Sequence, residues 1–96
     1  MRILITGGGG HLAQALQTEL RQHDLFALPR AELDISDREA VFTAVATTSP
    51  NLIIHTAAYT NVDGCAKEPD YAYKVNGLGT QNVALACQKF GTTLVH

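Results

Sequence analysis

Apolar residues in this chain concentrate in four short runs that are separated by segments with helical spacing. The runs cover residues 1–6 (MRILIT), 25–28 (LFAL), 51–55 (NLIIH) and 92–95 (TTLV). Isoleucine, leucine and valine dominate them, and the first two are followed by glycine and proline. This pattern is typical of short strands that are buried on both faces of a parallel sheet. We therefore predict four parallel strands.

The segments between these runs predict three helices. From about Gly10, apolar residues recur three or four positions apart, as on the buried face of an amphipathic helix. The segment 34–37 (DISD) supplies N-cap candidates for a second helix, which runs to about Thr47. A long third helix is predicted from Pro69 to Phe90, because proline suits a first helical position and glycine follows at position 91.

The order of these elements determines the fold class. Strands that alternate with helices indicate an α/β, Rossmann-like doubly wound parallel sheet, here a partial one of about four strands and three helices. Ligands of such sheets bind beyond the carboxyl ends of the strands, where loops after the fourth strand normally contribute. We therefore expect residues 1–96 to form a nucleotide-binding half-domain without a substrate-binding part.

Composition excludes several classes of partner. Seven basic and nine acidic residues give a formal net charge of −2 and no basic stripe, so we expect no nucleic acid partner. The sequence has no apolar run near the roughly 20 residues of a membrane span, so we expect no membrane partner. Cys65 and Cys87 lack metal-ligand spacing, and no secretory signal precedes them. These features predict a reduced, cytoplasmic protein in which no residue is a candidate metal ligand, while a role for magnesium stays open.

Candidate chemistry begins at the glycine-rich stretch ITGGGGHLAQAL, residues 5–16. Gly7, Gly10 and Ala13 follow the G-x-x-G-x-x-G spacing of a dinucleotide-binding turn. The first glycine permits the turn, the second lets backbone approach a pyrophosphate, and the third small residue allows close helix packing. The helix dipole then faces the anion. The alternative is a glycine-rich turn that merely connects two elements.

The end of the second strand bears on which dinucleotide is bound. An acidic residue there accepts from the ribose of NAD, whereas an arginine receives the 2′-phosphate of NADP. Here the strand is followed by Pro29 and Arg30. Arg30 favours NADPH over NADH, since its planar fork suits phosphate. Alternatively, Arg30 is a solvated loop residue that pairs with Glu32.

With these residues placed, the chain resembles the extended short-chain dehydrogenase/reductase superfamily, and within it the dTDP-4-dehydrorhamnose reductases. The resemblance covers the whole chain but only the first third or so of such an enzyme. The more specific motifs are AAYTNVD at residues 57–63 and VNGLGTQN at residues 75–82. The other matching stretches are ILITGGGGHLAQAL, AELDISDREAV, PNLIIH and TTLVH.

The resemblance implies a set of cofactor contacts. Gly7, Gly10, His11 and Leu12 would line the pyrophosphate, with His11 where the family usually has glutamine. The Asp34 carboxylate would accept from the exocyclic amine of adenine, and the backbone of Ile35 would complete that edge. Asp34 could equally be a helix cap, which is what the sequence alone predicts.

Further contacts are implied on the nicotinamide side of the cofactor. Asn76 would support the cofactor or an active-site loop, or else satisfy a kinked helix around Gly77 and Gly79. Small residues of one loop would pass beneath the ribose and nicotinamide, or else form an ordinary strand-to-loop turn. These residues are Ala57, Ala58, Tyr59 and Thr60.

The resemblance also implies what these residues lack. In the family, hydride passes from the nicotinamide to the C4 keto group of dTDP-4-dehydro-L-rhamnose, and a Tyr-x-x-x-Lys pair acts downstream of the fourth strand. Tyr71 and Lys74 are one residue too close together for that pair, and Ala66 stands where relatives often have glutamate. We therefore expect no catalytic residue here, and weak cofactor binding without turnover.

Two other functions stay open at this point. The chain could be a dinucleotide-binding module without enzymatic activity, or part of a different extended reductase or nucleotide-sugar epimerase. A four-stranded half-sheet also leaves an open strand edge, from which we expect a homodimer.

Overall fold

The structure is a computed structural model that describes residues 1–7, 10–56 and 74–95, for residues 74–76 the backbone alone. The strands are β1 (Arg2–Thr6), β2 (Asp24–Leu28), β3 (Leu52–His55) and β4 (Thr93–Val95). The described α-helices are α1 (His11–Glu19), α2 (Arg38–Thr48) and α3 (Thr80–Phe90). A π-helical turn, Lys74–Gly79, leads directly into α3.

All four strands are parallel, in the order β2-β1-β3-β4. Ile3 of β1 pairs with Leu25 on one side and with Leu52 on the other, which puts Thr6 opposite both Leu28 and His55. The chain moves from β1 to β2 in one direction, then crosses back over β1 to reach β3. The topological switch point therefore lies between β1 and β3, where doubly wound sheets bind their ligands.

Helices cover both faces of this sheet. Because successive strand residues point to opposite faces, Leu4 of β1 packs with the α2 and α3 side, while Ile3 and Ile5 pack against α1. Ala13 of α1 is 0% exposed among them, as the spacing of small residues requires for close packing between helix and strand. The predicted fold class, a partial doubly wound α/β sheet, is confirmed.

Local signals explain where the helices begin and end. The Asp37 carboxylate accepts a hydrogen bond from the Ala40 N–H at 3.2 Å and caps α2. The alternative interpretation of Asp34 as the cap is thus wrong, because the N-cap of α2 lies three residues later, at Asp37. Ser49 (φ 47°) and Gly91 (φ 66°) end α2 and α3 in the left-handed conformation.

The observed third helix differs from the predicted one in its first described part. Residues 57–73, which include the predicted start at Pro69, lie outside the described residues. From Lys74 the backbone follows a π-helix and becomes α-helical only at Thr80. A π-helical turn adds a residue per turn and shifts the faces of the helix, which regular apolar spacing could not anticipate.

Helix α3 contains a cysteine that is not in a disulfide bond. Cys87 of α3 is a free, buried thiol, and burial raises its pKa because the thiolate would lose hydration. The thiol therefore stays protonated, which suits packing and not nucleophilic chemistry.

No helix among residues 10–56 and 74–95 has the length and apolar character that crossing a membrane would need.

Candidate functional site

A glycine turn joins β1 to α1 at the carboxyl edge of the sheet. Gly7 has a φ of 72°, a conformation that costs other residues about 1–2 kcal/mol. Its N–H donates to the Leu28 carbonyl at 3.1 Å, and its own carbonyl accepts from the Gly10 N–H at 2.9 Å. The turn is thereby fixed both to the end of β2 and to the start of α1. Gly8 and Gly9 lie outside the described residues.

Gly10 is the N-cap of α1, and the fold itself gives little reason for a glycine there. Its backbone is extended (φ −79°, ψ 163°), which any residue adopts. A Cβ at Gly10 would meet, among the described atoms, only the Gly7 carbonyl oxygen at 3.4 Å, an ordinary contact. As a glycine it also caps no first-turn N–H with a side chain. The missing side chain therefore leaves the end of the helix accessible.

Two other predicted contact residues lie in the first turn of α1. His11 is exposed, and Leu12 is 62% exposed, unusually for a large apolar side chain. Ala13, which follows them, points into the core. The first turn of α1 thus presents the surface at which an anion would meet the positive end of the helix dipole.

Arg30 lies at the same edge of the sheet. It follows the end of β2 by two residues and is exposed. Because the Gly7 N–H bonds to the Leu28 carbonyl, the loop that carries Arg30 starts directly beside the glycine turn. If the pyrophosphate of a nucleotide lies at the N-terminus of α1, an arginine in this place can bind a further phosphate group of that nucleotide.

Asp34 and Ile35 occupy the turn that precedes α2. The Asp34 Oδ1 atom accepts from the Ser36 N–H at 3.0 Å and from the Ser36 hydroxyl at 2.6 Å. This is an Asx turn, in which the side chain bonds to backbone two residues on. Asp34 is exposed, whereas Ile35 is only 3% exposed. Only the backbone of Ile35 is therefore available to a ligand, as the resemblance implies.

A buried polar network lies beneath the switch point. The two ring nitrogens of His55, at the end of β3, contact the Thr6 hydroxyl at 2.8 Å and the Thr80 hydroxyl at 3.0 Å. The Thr56 N–H donates to the Thr6 hydroxyl at 3.1 Å, and the Thr56 hydroxyl donates to the Thr6 carbonyl. These four residues tie the ends of β1 and β3 to the first turn of α3.

The sequence alone does not predict this network, although it contains part of the signal. His55 is 7% exposed, and both of its ring nitrogens have a hydroxyl partner. Both ILIT and LIIH end in a polar residue, and aligning them as parallel neighbours puts Thr6 opposite His55. Thr80 could not be found in this way because it belongs to a helix.

Some predicted contacts cannot be placed. Ala57, Ala58, Tyr59 and Thr60 lie outside the described residues. Asn76 belongs to the π-helical turn, of which only the backbone is described at that position. Their roles remain predictions.

Comparison with known proteins now adds to this geometry. The family model described as RmlD substrate binding domain matches residues 1–96, which is the whole chain. The chain belongs to this RmlD family. A dTDP-4-dehydrorhamnose reductase of Aggregatibacter actinomycetemcomitans is 39% identical to it over 98 residues. The spore coat polysaccharide biosynthesis protein SpsK of Bacillus subtilis is 35% identical over 97 residues. The resemblance noted in the sequence is thereby confirmed.

The matches cover nearly all of this chain but only a part of each RmlD relative. The matches take in 99% of this chain but only 33% and 34% of the two relatives. The chain thus spans about a third of the length of the curated relatives it matches.

Solved structures agree on the architecture of the RmlD chain. The dTDP-4-dehydrorhamnose reductase of Bacillus anthracis, in complex with NADP, superposes with a TM-score of 0.91 at 42% identity. It covers 99% of this chain and 35% of its own. The UDP-glucose 4-epimerase of Thermus thermophilus, in complex with NAD, gives a TM-score of 0.87 at 27% identity, with coverage of 96% and 35%.

Proposed function

We propose that this chain binds NADPH or NADH and forms the N-terminal, cofactor-binding part of a dTDP-4-dehydrorhamnose reductase. The observation that carries the proposal is Gly10, whose missing side chain no described neighbour requires and which leaves the described end of α1 without a side-chain cap. The Bacillus anthracis relative, which holds NADP, supports the same class of ligand. Residues 1–96 are then a nucleotide-binding half-domain.

The proposal gives a binding role to Gly7, Gly10, Arg30, Asp34 and Ile35. The N–H groups in the first turn of α1 receive the pyrophosphate, as the spacing of Gly7 and Gly10 allows. Arg30 receives the 2′-phosphate when NADPH is the ligand. The Asp34 carboxylate and the Ile35 N–H receive adenine. When bound, the nicotinamide supplies the hydride for reduction of the C4 keto group of a dTDP-4-dehydro sugar.

Calorimetric titration of the 96-residue chain with NADPH and with NADH tests the proposal. The native chain is expected to bind both, and Gly10→Ser is expected to weaken each by at least about tenfold, or ~1.4 kcal/mol. Serine is a good N-cap, so its hydroxyl would compete for the N–H groups that the pyrophosphate needs while the free energy of unfolding stays within a few tenths of a kcal/mol.

The control is Ala46→Ser on the exposed face of α2, which should alter neither affinity. Failure of the native chain to bind either dinucleotide would refute the proposal. Undiminished binding by Gly10→Ser would show that the nucleotide does not approach the end of α1.

A second candidate is an NAD-dependent nucleotide-sugar epimerase, favoured by the likeness to the Thermus thermophilus enzyme. The lower identity of that enzyme, 27% against 42% for the reductase, makes it the weaker alternative. A clear preference for NADH in the same titration would support it, because it would argue against a phosphate-binding role of Arg30.

A further inference from the structure

Asn82, in the first turn of α3, contacts the turn that precedes α2. Its side-chain amide donates to the Ile35 carbonyl at 2.9 Å, across 47 residues of sequence. Neither residue is near the other in the sequence, so this contact arises only from the packing of α3 beside α2. Asn82 is half-buried and therefore shielded from part of the competing water.

The Ile35 carbonyl and the Ser36 N–H belong to the same peptide unit. Asn82 holds that unit through its oxygen, and the Asp34 carboxylate accepts from its nitrogen at 3.0 Å. A peptide unit is planar, so fixing its carbonyl also fixes the direction of its N–H. The Asp34 carboxylate is thus linked to Asn82 through one rigid group, while the Ser36 hydroxyl donates to the same carboxylate oxygen.

Gly79 immobilises the same turn from a second direction. A Cβ at Gly79 would lie 2.5 Å from Ile35 Cδ1 and 2.6 Å from Ile35 Cγ1, closer than atoms can approach. The backbone at the end of the π-helical turn therefore packs directly on the buried Ile35 side chain. Both the side chain and the carbonyl of Ile35 are held by residues that belong to one stretch of chain, 79–82.

The chemistry of adenine makes this orientation important. The edge of adenine that carries the exocyclic amine has a donor beside an acceptor, and a carboxylate beside a peptide N–H is complementary to it. Hypoxanthine has the opposite order, an acceptor beside a donor. A correctly oriented Asp34 therefore distinguishes the two bases.

We propose that Asn82 is a positioning residue which, through the Ile35–Ser36 peptide, orients the Asp34 carboxylate and so sets the preference of this chain for adenine over hypoxanthine. The inference rests on the proposed dinucleotide binding and deepens it. Asn82 itself touches no ligand in this arrangement, and its effect is confined to recognition of the base.

The test compares the affinities of NADH and reduced nicotinamide hypoxanthine dinucleotide, which differ only in the base. Asn82→Asp keeps the size of the side chain but loses the N–H donor, and Asn82→Leu loses it without adding charge. Each is expected to reduce the adenine preference about fivefold, the effect of one lost hydrogen bond of ~1 kcal/mol. Asn82→Gln, which retains a donor, is expected to restore part of it.

The matched control is Gln81→Ala, at the neighbouring exposed position, which should leave the preference unchanged. A purely structural role would lower thermal stability and weaken both dinucleotides equally. An unchanged preference in Asn82→Asp and Asn82→Leu would therefore overturn the inference while the native chain still binds. Failure of the native chain to bind either dinucleotide would overturn the proposed function as well.

A double variant tests whether Asn82 affects the base preference through Asp34. Asp34→Ala should itself abolish the adenine preference, and adding Asn82→Leu to it should then change the preference no further. Additive losses would show that Asn82 acts on base recognition independently of Asp34, and would overturn the proposed route.

Discussion

At the scale of single residues, the proposed function assigns specificity for the 2′-phosphate to Arg30. Arg30→Ala is expected to weaken NADPH binding about 10- to 100-fold and NADH binding little, because only NADPH carries the group that the guanidinium would hold. The ratio of the two dissociation constants is the measurement.

The control for this prediction is Arg21→Ala, which removes the same charge from an exposed position just after α1. A general effect of net charge on anionic ligands would appear in both variants. Equal weakening of NADPH and NADH by Arg30→Ala would contradict the assignment of Arg30 to the 2′-phosphate.

Individual residues also show why local sequence settles some roles and not others. Asp34 and Asp37 are equally good N-cap residues, and the sequence alone could not decide between them. The decision depends on where α2 begins, and this is determined by the burial of Leu33 and Ile35 in the α2 and α3 core. Gly7, by contrast, was predictable, because few residues other than glycine adopt its φ of 72°.

At the scale of elements, the His55 network joins two strands and a helix. His55→Leu is expected to lower the free energy of unfolding by about 1–3 kcal/mol, because the Thr6 and Thr80 hydroxyls lose the imidazole as a hydrogen-bond partner in a largely buried place. Chemical denaturation measures this change. His23→Leu, at a half-exposed position, should alter it by no more than about 0.5 kcal/mol.

Coupling between the elements can be measured directly. Thr80→Val removes the partner of His55 on α3, so the effects of Thr80→Val and His55→Leu should be less than additive by about 0.5 kcal/mol or more. Strict additivity would mean that the contact between β3 and α3 contributes no energy of its own.

Elements differ in how well the sequence predicts them. The strands were placed within one residue because each is a short apolar run with clear ends. The π-helical turn was not predicted, since it brings the Gly79 backbone against Ile35, a partner 44 positions away in the sequence. The contact between Asn82 and the Ile35 carbonyl was not predicted for the same reason. Such features depend on which elements meet, and hydrophobic spacing carries no information on that.

At the scale of the whole molecule, the sheet has an edge at β4. That strand pairs with β3, and no other described strand pairs with it. Its last described residue, Val95, is 47% exposed. An unpaired parallel edge with apolar side chains is a template for pairing with another chain. The 96-residue chain is therefore expected to form a homodimer in solution.

Light scattering over a range of protein concentrations measures this association. Val95→Glu should shift the chain toward monomer, because a charge on the edge opposes strand pairing. Thr47→Glu adds the same charge to an exposed position of α2 and should leave the association unchanged. A native chain that stays monomeric at the highest concentration would show that the edge is protected within the chain itself.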